Sequence, residues 1–76
     1  MPPETNPVNR NKLPGSKWTA TRPRNKEKHF IVLGWQLDSD GHPTERIEIE
    51  AVYTKAVRHV HWRELADRSS WLIGWL

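Results

Sequence analysis

Two stretches of period-two alternation constrain this chain most. Over residues 29–37, Ile31, Leu33, Trp35 and Leu37 recur at every second position, and over 46–53 Ile47, Ile49, Ala51 and Tyr53 do so against Arg46, Glu48 and Glu50. Successive strand side chains point to opposite faces, so each stretch reads as a β-strand with one inward face. Phe30 and Val32 make the first half of the earlier strand apolar on both sides, which places it near the centre of a bent sheet or small barrel. Between the two lies Asp38-Ser39-Asp40-Gly41-His42-Pro43, where Asp-Gly supplies the positive φ angles of a tight hairpin. The two strands are expected to pair antiparallel.

Weaker patterns flank this hairpin. Lys17-Trp18-Thr19-Ala20-Thr21-Arg22 fits an earlier strand, and residues 56–62 a later one, with Val60 and Trp62 set against His59 and His61. Residues 22–28 interrupt with Pro23 and Asn25 and read as a hydrophilic hairpin loop. Trp62-Arg63-Glu64-Leu65-Ala66-Asp67 lacks alternation and contains good helix formers. Ser69 and Ser70 then read as caps of a helical turn that carries Trp71 and Trp75 at i and i+4 on one face.

Residues 1–12 hold three prolines and three asparagines and almost nothing apolar, a composition that predicts a disordered tail. Leu13-Pro14-Gly15-Ser16 is a turn opening a single domain over 13–76. The expected fold is mainly β, a small antiparallel meander of three or four strands, strongly bent or barrel-like, with short C-terminal helical turns.

How so short a chain holds together follows from its composition. Seventy-six residues include no cysteine but five tryptophans, at 18, 35, 62, 71 and 75. A domain of this size has a thin stability margin, and without disulfides or thiolate metal sites that margin must come from bulky apolar side chains. Trp35, in phase with Ile31, Leu33 and Leu37, is expected in the core, as are Trp18 and Trp62. Trp71 and Trp75 form a separate terminal pair that either docks on the sheet or presents a hook to another protein.

Charge is placed unevenly. Residues 1–28 carry seven basic and two acidic side chains, and 29–76 carry five basic and seven acidic, within an overall net charge of +3. Such asymmetry points to an anionic partner for the first third. Lys17, Arg22, Arg24, Lys26 and Lys28 are the candidate nucleic-acid contacts, since an extended hairpin aims several of them at a phosphate backbone. The alternative is a solvated loop whose charge aids solubility.

Other chemistry finds little support. His59 and His61 share a strand face, but His29 and His42 have no spacing that completes a ligand set, so no metal is expected. The serines fall in turn or cap contexts, Glu48 and Glu50 lie on an exposed strand face, and no phosphate-binding glycine motif occurs. A non-enzymatic protein without a cofactor is expected. No apolar run approaches a membrane span, and the N-terminus has no secretory pattern, which together predict a cytoplasmic protein.

Leu13-Pro14-Gly15-Ser16-Lys17-Trp18-Thr19-Ala20, then Arg22-Pro23-Arg24-Asn25-Lys26-Glu27-Lys28-His29-Phe30, then Trp62-Arg63-Glu64-Leu65 and Asp67-Arg68-Ser69 on to Trp75 resemble the tryptophan-rich family of small conserved bacterial proteins. The resemblance spans residues 13–75. It implies no activity, cofactor or catalytic residue, so none is carried over. The favoured expectation is a binding module whose basic loop contacts RNA or single-stranded DNA. A protein-interaction adaptor using Trp71 and Trp75, or a strand edge, to grip a larger partner is the alternative.

Overall fold

A computed structural model describes residues 5–76. Five strands form one antiparallel sheet: β1 (Lys17–Arg24), β2 (Glu27–Leu37), β3 (Pro43–Ala51), β4 (Val57–His61) and β5 (Trp71–Ile73), in the order β4-β3-β2-β1-β5. The first four make the expected meander. The sheet is open, with β4 and β5 at its edges, rather than closed into a barrel.

The inward face of β2 differs from its sequence pattern. Val32 pairs with Ile49, Gly34 with Glu48 and Trp35 with Ile47, so Leu33 is an extra residue against β3 and the strand bulges. A bulge exchanges the faces of the residues that follow it, and a second register shift falls between Trp35 and Leu37. Phe30 and Val32 before the bulge and Trp35 after it therefore point to the core, while Leu33 and Leu37 are 49% and 56% exposed. On β3 the expected phase holds for Ile47, Ile49 and Ala51, all buried, but the strand ends there and Tyr53 lies outside it.

One face of the sheet carries the core. Trp18, Phe30, Val32, Ile47, Ile49, Ala51 and Trp71 pack with Leu13 from the lead-in segment and Leu65 from a 3-10 turn, Trp62–Ala66. The rings of Phe30 and Trp71 meet edge to face at 5.1 Å, a geometry that places the positive ring edge on the negative ring face. Trp18 and Trp71 are the buried tryptophans, and Trp35 and Trp62 pack half-buried around them.

The C-terminal segment is extended where a helical turn is expected. The Asp67 carboxylate accepts from the backbone and hydroxyl of Ser69, and the Asp67 carbonyl accepts from the N–H groups of Ser70 and Trp71. Both serines thus serve a turn rather than a helix cap. Trp71 leaves that turn as strand β5, pairing with Ala20, and Gly74 at φ 82° redirects the chain so that Trp75 folds back over His29. The glycine supplies a left-handed conformation that other residues resist.

Composition marks residues 1–12 as a disordered tail, yet Thr5 onward lies against the domain; residues 1–4 fall outside the described residues. Asn6 is buried, and its side-chain amide donates to the carbonyls of Leu65 at 2.8 Å and Trp71 at 2.7 Å, with its backbone N–H bonded to Ala66 O. Val8 packs on the core, and a 3-10 turn at Arg10–Lys12 follows. Directional hydrogen bonds from one asparagine do here what a composition average does not register.

Candidate functional site

Only two residues, Asn25 and Lys26, join β1 to β2, and both have positive φ, 54° and 63°. Tight hairpins of the type I′ kind require this backbone. The expected loop over 22–28 is therefore mostly strand. Thr19 faces His29 while Arg24 faces Glu27, so residues 20–23 of β1 stand opposite Lys28 alone and β1 bows away from β2. β5 takes up the bowed side through the Ala20–Trp71 pair and a hydrogen bond from Thr21 N–H to Ser70 O.

The bow opens a cleft of about 220 Å³ lined by Arg22 and Arg24 of β1, Glu27 of β2, Arg58 of β4, and Ala20, Ser70 and Trp71. Arg58 pairs across the sheet with Ile49, and its guanidinium lies 4.9 Å over the Phe30 ring. None of the three arginines is within 4.0 Å of a described carboxylate. Thr54 donates a hydrogen bond to Glu27, the one acid among the described residues of the cleft wall. Three guanidinium groups against one carboxylate leave the cleft positive.

The five basic residues expected at a site are thus divided. Arg22 and Arg24 converge in the cleft, and Lys26 sits on the turn with its ammonium 6.0 Å from the centre of the Tyr53 ring. Lys17 is elsewhere, its ammonium 4.7 Å over the ring of Trp75. Lys28 is exposed on β2 and does not line the cleft.

Two residues of this end escaped the sequence reading. Arg58 falls two positions before Val60, so extending the inward phase of Val60 and Trp62 one step back finds it. Tyr53 is 70% exposed because the chain turns after Ala51, with Lys55 N–H bonded to Ala51 O and Lys55 at φ 67°. No sequence signal marks that early strand end.

The terminal tryptophan pair separates. Trp71 is 6% exposed and belongs to the core, whereas Trp75 is 43% exposed and donates its indole N–H to Phe30 O at 2.9 Å. The histidines have local partners: His59 lies 3.6 Å from Glu48, His61 accepts from Arg63 N–H, and His29 is bonded to Leu76 O. His42 does come within 4.8 Å of donor atoms of Asp38 and Asp40, all exposed. Asp38 accepts from the N–H groups of both Asp40 and His42, so the turn itself gathers the three.

Two carboxylates are held below their ordinary range. For Glu45 the main cause is the hydrogen bond from the Trp62 indole, with the charges of Arg10, His61 and Arg63 adding to it. For Asp67 it is the hydrogen bonds from Ser69, with Ser70 and the charge of Arg22 contributing less.

Fold and cleft together define a small single-sheet β protein with an arginine-lined notch. Residues 16–76 match the family model described as tryptophan-rich protein (DUF2389), and the chain belongs to that family. The match includes all five tryptophans and the three cleft arginines. No curated protein and no solved structure matches the chain. No described helix is long and apolar enough to cross a membrane.

Proposed function

We propose that the protein is a non-enzymatic binding module, working in the cytoplasm, that takes the phosphates of RNA or single-stranded DNA into the cleft of Arg22, Arg24 and Arg58. The observation that carries this reading is the convergence of three arginines from two separate strands with no described carboxylate in salt-bridge reach. A guanidinium presents a planar fork of donors suited to phosphate oxygens. Tyr53, exposed beside Lys26, offers a ring on which an adjacent base stacks, a contact worth about 1–3 kcal/mol per base.

The test is anisotropy of labelled single-stranded RNA and DNA across a salt series. Three cleft arginines and Lys26 give a log–log salt slope near −3, from about −0.7 per phosphate on a single strand. Replacing Arg22, Arg24 and Arg58 by alanine removes about 2 of that slope on the same constant, while replacing Lys17 and Lys28 leaves most of it. Absence of binding to either nucleic acid at low salt discards the reading.

The adaptor alternative retains less. Burial of Trp71 leaves Trp75, Ile73 and Leu76 as the exposed apolar groups of that segment. A protein captured after nuclease treatment by the wild type, and not by a folded Trp75→Ala variant, would favour it.

A further inference from the structure

At the other end of the sheet Arg10 lies between two indoles. Its Cζ is 5.2 Å from the centre of the Trp35 ring and 5.3 Å from that of Trp62, and its Nη2 is 3.4 Å from Glu45 Oε1. The other oxygen of Glu45 accepts the Trp62 indole N–H at 2.6 Å, which fastens that wall to the carboxylate. The Arg63 guanidinium also lies 5.3 Å from the centre of the Trp62 ring, so two aromatic rings and an anion here already hold guanidinium groups, which are weakly hydrated and stack on aromatic faces.

The walls and their occupant have different origins. Trp35 is anchored in β2 opposite Ile47, Glu45 lies on β3, and Trp62 opens the 3-10 turn, all within the family match over 16–76. Arg10 lies before that match, in the lead-in segment. Its hold is loose. The 3.4 Å contact exceeds the roughly 2.7–2.9 Å of a charge-assisted hydrogen bond, and both side chains are more than half exposed. A cavity of about 340 Å³, lined by Arg10 itself with Asn11, Trp35 and Pro43, gives access to the Trp35 wall.

We propose that Trp35, Trp62 and Glu45 form a cage for an arginine side chain presented by a partner polypeptide, with Arg10 as a tethered occupant that the partner displaces. The ligand class follows from what the cage already holds. This site shares no residue with the arginine cleft and does not rest on nucleic-acid binding. A tether keeps Arg10 at a high effective concentration near the cage, so an external arginine binds the wild-type chain weakly and binds better once Arg10 is gone.

The test titrates N-acetyl-arginine methylamide into the full chain, following the Trp35 indole N–H and the backbone amides around Glu45 by NMR. Arg10→Ala, with Arg10→Gln as a second variant, is expected to bind about tenfold more tightly than the wild type, the ratio for a tether worth about 1.4 kcal/mol. Adding Trp62→Phe or Glu45→Gln to Arg10→Ala is expected to abolish that gain in a chain whose amide spectrum stays dispersed. Equal affinity in the wild type and both Arg10 variants overturns the proposal, as does binding that survives Trp62→Phe. Tighter binding of the corresponding trimethyllysine derivative than of the arginine one overturns the assignment to arginine.

Discussion

Asn6 donates its side-chain amide to the carbonyl of Trp71, the first residue of β5, at 2.7 Å, joining the lead-in segment to an edge of the sheet. The same amide group also serves Leu65 O. Replacing Asn6 by alanine strips a partner from two carbonyls, and a buried unsatisfied group costs about 1–3 kcal/mol. Asn6→Ala is expected to lower stability by about 2 kcal/mol on that scale, read as a lower urea midpoint at unchanged m-value. An unchanged midpoint would show the segment to be dispensable.

The bulge in β2 makes a prediction that the alternation pattern reverses. Leu33→Ala, at a site 49% exposed, is expected to change stability by less than about 0.5 kcal/mol, whereas Phe30→Ala, at a site 1% exposed, is expected to cost about 3–5 kcal/mol. Denaturant unfolding of the two variants side by side decides it. Comparable losses would mean that Leu33 is inward.

Lys26 holds a positive φ of 63° in the two-residue turn. A side chain there works against the left-handed conformation that glycine adopts freely, at a cost of about 1 kcal/mol. Lys26→Gly is expected to raise thermal stability by about that amount while weakening nucleic-acid binding through the lost charge. A lower melting temperature would contradict the turn geometry.

Stability should fall in acid through two named groups. Glu45 and Asp67 have pKa values lowered from ordinary values of 4.5 and 3.8. A depressed folded-state pKa contributes stability that is full above the unfolded-state value and is lost as the pH falls through the folded one. Unfolding free energies measured from pH 7 down to about 2.5 should decline below those ordinary values, and less steeply in Glu45→Gln and Asp67→Asn. Curves parallel to the wild type would remove these carboxylates from the acid response.

Much of this arrangement is legible in the residues themselves. The inward phase of β3, the hairpin at Asp38 to Pro43 and the helical character after Trp62 all follow from local patterns. Arg22 and Arg24 stand out by charge. The partner Arg58 shares the phase of Val60 and Trp62, but its place in the cleft depends on β4 pairing with β3 so that Arg58 lies opposite Ile49. The cage around Arg10 is similarly hidden, since its walls come from positions 35, 45 and 62.

Taken alone, the sequence determined the class of fold, mainly β and antiparallel, because period two and turn chemistry are local and each stretch satisfies them independently of the rest. Tertiary structure decided which face of β2 turns inward, since one extra residue at a bulge exchanges the faces and only pairing with β3 reveals it. It also decided the fate of the tryptophans. Trp71 enters the core as a fifth strand, while Trp35 and Trp62, half-buried, wall in a cation. These outcomes depend on contacts between segments far apart in the chain, where register and packing overrule local propensity.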